Sequence, residues 1–210
     1  MAQPRSDHHR GPIRKDLALI ADMIESGTRV LDIGCGEGVL LDHLVHVKGV
    51  DGRGIELSQA GVNACVRQGL SVIQGDADTD LVDYPSLAFD YAVLSETLQA
   101  TRAPDELLRQ LVRIARHAIV SFTNFGHWRI RWNLFLGGRM PAIGEGEHWY
   151  DTPNIHLCTM LDFSELCDQL DLRVVRAVSV GNDGVSREIR RIGRAANLRG
   201  AKGIFLLTHN

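Results

Sequence analysis

The stretch VLDIGCGEG (30–38) gathers the densest chemistry in the chain: Gly34, Gly36 and Gly38 alternate behind a short apolar run. Glycines placed this way let a chain turn tightly and bring its backbone close to a ligand at a helix N-terminus. A dinucleotide fingerprint needs a further glycine three places after Gly36, and Val39 stands there instead. Asp32 precedes the loop and Glu37 lies within it. Carboxylates there disfavour a pyrophosphate and suit a ligand carrying an ammonium and a sulfonium. That is the pattern of an S-adenosylmethionine site.

Further residues extend the same reading. Glu56, with Leu57, ends the run GRGIEL, where an acid accepts both hydroxyls of a ribose. GDAD after a third run puts Asp76 and Ala77 where an adenine edge is read by a carboxylate and a backbone N–H. Alone, Glu56 reads as a solvated charge and Asp76 as a turn residue; the glycine loop ahead of them gives both their weight. Ser95, Glu96 and Gln99 follow a fourth run, at the edge that faces the ligand. Candidate general bases are Glu96, which reads equally as a loop carboxylate, and the histidines His127, His148 and His156. Methyl transfer depends chiefly on aligning acceptor and sulfonium, so no base is obligatory and the spacing selects none.

Two segments stand outside this site. Arg129, Arg131 and Arg139 alternate with Trp128, Trp132 and Phe135. They form either a patch for an acidic partner or an amphipathic flap over the domain itself. HWYDTPNIHLCT (148–159) holds two histidines and a cysteine, but not at a compact zinc spacing, so no metal is expected. Trp149, Tyr150, Asn154 and His156 read instead as a lid over the pocket, or as its lip toward a partner.

The elements that must position these residues alternate regularly. A tail (1–12) precedes a helix marked by Ile13, Leu17, Ile20, Ala21 and Ile24. Strands are expected at 29–34, 52–57, 70–75, 89–95 and 117–124, with helices between the first three and after Pro104. This rhythm predicts a mainly parallel sheet with helices on both faces. An insertion rich in aromatic, glycine and histidine residues spans 125–158, and a helix restarts at Thr159 with Asp162 placed for a cap. Strands at 172–180 and 202–209 bring the count to seven, with a polar, basic stretch (181–201) between them. Everything from 13 to 210 is expected to form one domain.

With 23 basic against 26 acidic side chains, the chain has no bulk attraction for nucleic acid. No run approaches a membrane span and the N-terminus carries no apolar signal core, so a cytoplasmic protein without membrane contact is expected. Four dispersed cysteines suggest reduced thiols.

In order, VLDIGCGEGVLL, GIELSQAGVNACVRQGLSVIQGDAD, FDYAVLSETLQATRAP, IVSFTNFGHWRIRWNLFLGGRMP and WYDTPNIHLCTMLDF resemble the bacterial methionine-biosynthesis family MetW. The likeness runs from about Arg14 to Val180. It departs from the family pattern at Glu96, usually Gln, and at Thr123, usually Pro. The resemblance implies a Rossmann-like class I methyltransferase fold. It also implies S-adenosylmethionine or S-adenosylhomocysteine as cofactor, with Asp32, Gly34, Gly36, Gly38, Glu56 and Asp76 in the cofactor motif. A role beside homoserine O-acyltransferase, acetyl or succinyl, follows from the same resemblance. The alternative is a methyltransferase acting on an unidentified small molecule.

Overall fold

The computed structural model describes residues 13–140, 152 and 154–210; the tail 1–12, most of the segment after Met140, and with it His148, Trp149 and Tyr150, lie outside them. Helix α1 (Lys15–Asp22) leads into strand β1 (Arg29–Ile33), and four of the five β1 positions are buried. Near-continuous apolar character is what a strand covered on both faces requires. Then follow α2 (Val39–His46), β2 (Asp51–Glu56), α3 (Gln59–Arg67), β3 (Ser71–Gln74) and β4 (Phe89–Ser95). A short 3-10 turn (Asp80–Asp83) replaces a helix between the last two. Pro104 opens α4 (Pro104–Ile114), where its missing N–H costs nothing, and α4 passes straight into β5 (Ala115–Thr123).

Beyond β5 lie α5 (Trp128–Gly137), α6 (Met160–Gln169), β6 (Leu172–Val180), β7 (Ser186–Glu188), α7 (Arg194–Arg199) and β8 (Lys202–His209). α6 starts with the expected capping box: the Thr159 hydroxyl accepts from the Asp162 N–H, and Asp162 accepts from the Thr159 N–H. The sheet order is β3-β2-β1-β4-β5-β8-β6-β7. β3 to β5 pair in parallel, while β8 is antiparallel to both β5 and β6, and β7 to β6.

Among the described residues the sheet therefore has eight strands, not the seven expected. The extra strand, β7, is Ser-Arg-Glu with all three residues exposed, so it carries no apolar alternation to betray it. It is the return arm of a hairpin turned at Gly181–Gly184, where the Gly184 N–H donates to the Gly181 carbonyl.

Successive strand residues point to opposite faces and feed two cores. Tyr91 and Val93 of β4 join Ile20 of α1, Ile24 just beyond it, and Leu40 and Leu44 of α2 on one face. Ala92 and Leu94 join Leu108 and Leu111 of α4 and Phe163 of α6 on the other. Phe122, Phe163 and Phe205 pack together within this second core, with ring centroids 4.7 to 5.5 Å apart. Among the described residues, no helix is long and apolar enough to cross a membrane.

Candidate functional site

Strand order reverses between β1 and its neighbours β2 and β4, so helices leave to opposite faces and a crevice opens at the carboxyl ends of these strands. The glycine loop occupies that crevice. Gly34 takes φ +71°, and a Cβ there would lie 2.6 Å from the Thr97 hydroxyl. Gly38 takes φ +82° as the residue before α2, and a Cβ there would meet Leu70 and Cys65 at 2.7 and 2.8 Å. Both positions need glycine for backbone angle and for space.

Glu56, the last residue of β2, fastens the loop. Its Oε2 accepts from the Gly36 N–H and its Oε1 from the Ser58 N–H, each at 2.9 Å. A carboxylate offers about four acceptor sites, so capacity remains for ligand hydroxyls. Cys65 adds a second tie, its thiol donating to the Gly36 carbonyl at 3.3 Å. Its sulfur is 4.0 Å from that of Cys35, and all four cysteines are free thiols. Asp32 lies beneath, only 2% exposed, and burial followed by the charge of Glu56 raises its carboxyl to about 7.

Gly34, Glu56, Leu57, Asp76, Ala77 and Glu96 line one cavity of about 310 Å³. Sequence reasoning named all six. Gly36 touches the cavity wall through Glu56, whereas Gly38 sits behind it against α3. Ser95 turns aside, its hydroxyl 3.2 Å from that of Ser121 across the strand pair. The polar side chains missed are Asp78, Thr97, Thr101 and Arg102. Asp78 accepts from the Arg102 N–H at 3.1 Å, joining the two loops that flank the opening. Its place in the quoted GDAD was the available signal. A larger concavity, about 650 Å³, is lined by Arg29, Asp51 and Phe89 at the amino ends of the strands. It lies at the edge opposite the glycine loop, where ligands of open α/β sheets do not bind.

The three candidate bases within the described residues are held differently. Glu96, at φ +57°, pairs with Arg14 at 2.7 Å and with Lys202. Asp16 accepts from the same two cations, which closes a ring of alternating charge. Burial pushes the Glu96 carboxyl up, but Lys202 and Arg14 outweigh it and hold the group below its ordinary range. His127 is buried as the cap of α5, its Nδ1 accepting from the Arg129 N–H at 3.4 Å. Burial, then Arg129, lowers its pKa, and it lines a different concavity beside Trp128 and Arg187. His156 Nε2 lies 3.3 Å from the Arg102 carbonyl.

The end of the insertion is strapped onto the site. The Ile155 and His156 N–H groups both donate to the Gln99 carbonyl, at 2.8 and 2.9 Å, and Gln99 in turn donates to Cys158. Ile155 to Cys158 thus lie against the turn that supplies Ala100, Thr101 and Arg102 to the cavity. A buried knot anchors the insertion: the Asn124 amide donates to the Asn197 and Gly200 carbonyls, both at 2.7 Å, and accepts from Gly126 and Met160. Among the described residues, no three His, Cys, Asp or Glu side chains are grouped to hold a metal ion.

Comparison with known proteins places this architecture. A SAM-dependent methyltransferase from Thermotoga maritima superposes with a TM-score of 0.70, at 17% identity, over 96% of this chain and 91% of its own. A SAM-dependent methyltransferase from Archaeoglobus fulgidus gives 0.65 at 17% identity, over 94% and 95%. At such identity the likeness is one of fold. A closer relative in sequence is the bifunctional methionine biosynthesis protein MetXA/MetW of Rhodopirellula baltica, 36% identical over 163 residues. That match takes in 73% of this chain but only 26% of the relative. The model of one family, methionine biosynthesis protein MetW, matches residues 14–207, from the Arg14 that pairs with Glu96 to the last core strand. By that match across the sheet and its crevice, the chain belongs to the MetW family of methionine biosynthesis proteins.

Proposed function

We propose that the crevice binds S-adenosylmethionine or S-adenosylhomocysteine, and that the protein supports or regulates a homoserine O-acyltransferase in methionine synthesis. The observation that carries the first half is the convergence of Gly34, Glu56, Leu57, Asp76 and Ala77 on one cavity. Its lining carries Glu56, Asp76, Asp78 and Glu96 against one cation, Arg102. This set repels a pyrophosphate and attracts a cationic nucleoside. Glu56 would hold the ribose, Asp76 and Ala77 the adenine edge, and the glycine loop the amino-acid end; the bound sulfonium would supply an activated methyl group.

The second half draws on the relative from Rhodopirellula baltica, in which a region like this one shares a chain with MetXA. Regulation by cofactor occupancy fits the pathway's logic, because its end product is the precursor of the ligand. A coupled assay of the acyltransferase, with and without this protein and with and without S-adenosylmethionine, tests the proposal. The expected result is a rate that depends on this protein and shifts with the cofactor; an unchanged rate without copurification contradicts it. The second reading, methyl transfer to a small molecule, is favoured by the intact glycine loop and Glu56. It predicts movement of a labelled methyl group into an extract fraction, and cofactor binding without turnover counts against it.

A further inference from the structure

Helix α5 decides between the two readings of its basic and aromatic residues. A flap over its own domain would bury an apolar face, yet α5 has no buried residue. Trp128, Trp132, Leu134, Phe135, Leu136 and Met140 are all exposed, Phe135 at 80%. Single exposed apolar residues are ordinary, but a contiguous group of this size marks an interaction surface. The Trp132 and Phe135 rings lie against each other with centroids 6.2 Å apart, and the Arg129 guanidinium sits 5.5 Å over the Trp128 ring. Aromatic residues and arginine are the types enriched where protein interfaces concentrate their energy.

A socket opens at the N-terminal end of the same helix. It is a concavity of about 440 Å³ with His127, Trp128, Arg129, Arg187 and Arg199 in its wall. Asp183, also in the wall, pairs with Arg187 at 3.6 Å, which leaves an excess of positive charge. His127 Nδ1 accepts from the Arg129 N–H, so the ring proton sits on Nε2 and is available to donate. No acidic residue stands between Glu106 and Glu145 to offset the arginines of α5.

These features discriminate among occupants. A second copy would meet this surface through the same surface, setting Arg129 and Arg131 against their own counterparts. A membrane-surface helix needs its apolar residues on one face and its basic ones on the other. In α5 the arginines alternate with Trp128, Ile130 and Trp132, and Leu134, Phe135 and Leu136 run on consecutively, so that separation is missing. We propose that α5 and its socket dock onto a partner protein, through a face that is apolar at its centre and inserts a carboxylate side chain among the arginines. That this partner is the homoserine O-acyltransferase rests on the proposed function; the surface does not.

Photo-crosslinking in the native host tests both parts separately. A benzophenone amino acid replaces Phe135 in the full chain, and Val66, exposed on α3, serves as the control site. The expected result is an adduct with the acyltransferase, absent at Val66 and reduced at least about tenfold by Arg129→Glu or Arg199→Glu, since reversing a charge in a docked pair removes that much affinity or more. An adduct with a different protein that shows the same sensitivity keeps the surface and removes the acyltransferase reading. Adducts only with a second copy or with lipid, adducts insensitive to both charge reversals, or no adduct beyond that at Val66 overturn the proposal. Thermal melts confirm that the variants fold, and Trp132→Ala provides a neutral substitution to the same end.

Discussion

The Asp32 carboxyl, raised to about 7 by burial and by Glu56, ties the site to pH. Between its ordinary 3.8 and about 7, the folded protein holds a proton that the unfolded chain has released. Stability therefore falls as pH rises through that window, by at most about 1.4 kcal/mol per unit, and levels off above it. Asp32→Asn removes the titration. Relative to wild type, the variant gains stability between pH 5 and pH 8, as melting curves at the two values will show; an unchanged difference contradicts the assignment. Asn124, unlike Asp32, is a residue that sequence reasoning passed over. It is fully buried, and its four hydrogen bonds tie β5 to α6 and α7. Asn124→Ala orphans those backbone groups, and denaturant titration should register a loss of about 2 kcal/mol or more. Nothing in the local sequence marks Asn124, because three of its four partners lie far along the chain.

At the scale of elements, apolar run length and glycine placement carried most of the information. The expected strands at 89–95, 172–180 and 202–209 coincide with β4, β6 and β8 to the residue. What escaped were β7 and α7, because neither β7 nor its turn buries an apolar residue and α7 buries only Asn197. Within the site, residues on the glycine loop and at the ends of β2 and β3 were legible from spacing. Thr97, Thr101 and Arg102 were not, since the 3-10 turn Leu98–Ala100 that delivers them has no periodic signature. The loop's rigidity has its own test. Gly38→Ala places a methyl group against Cys65 and Leu70 at φ +82°, so a loss of at least about 1 kcal/mol is expected from chemical denaturation. A neutral outcome would mean the loop is looser than its contacts imply.

For the molecule as a whole, the sheet splits its tasks along one edge. Strands β1, β2 and β4 frame an acidic crevice suited to a cationic nucleoside. Past β5, the same edge carries the basic socket and the exposed face of α5. The ring of Arg14, Asp16, Lys202 and Glu96 lies between them, linking α1 and β8 to the turn after β4. The crevice and α5 are thus adjacent in one structure, as the proposed coupling of cofactor level to a partner requires. Calorimetric titration with S-adenosylhomocysteine tests the cofactor site most directly. Saturable one-to-one binding is expected, weakened roughly 10- to 150-fold by Glu56→Ala, the loss of charge-assisted hydrogen bonds worth about 1.5–3 kcal/mol. The absence of binding to the wild type, or equal affinity in the Glu56→Ala variant, would contradict the account.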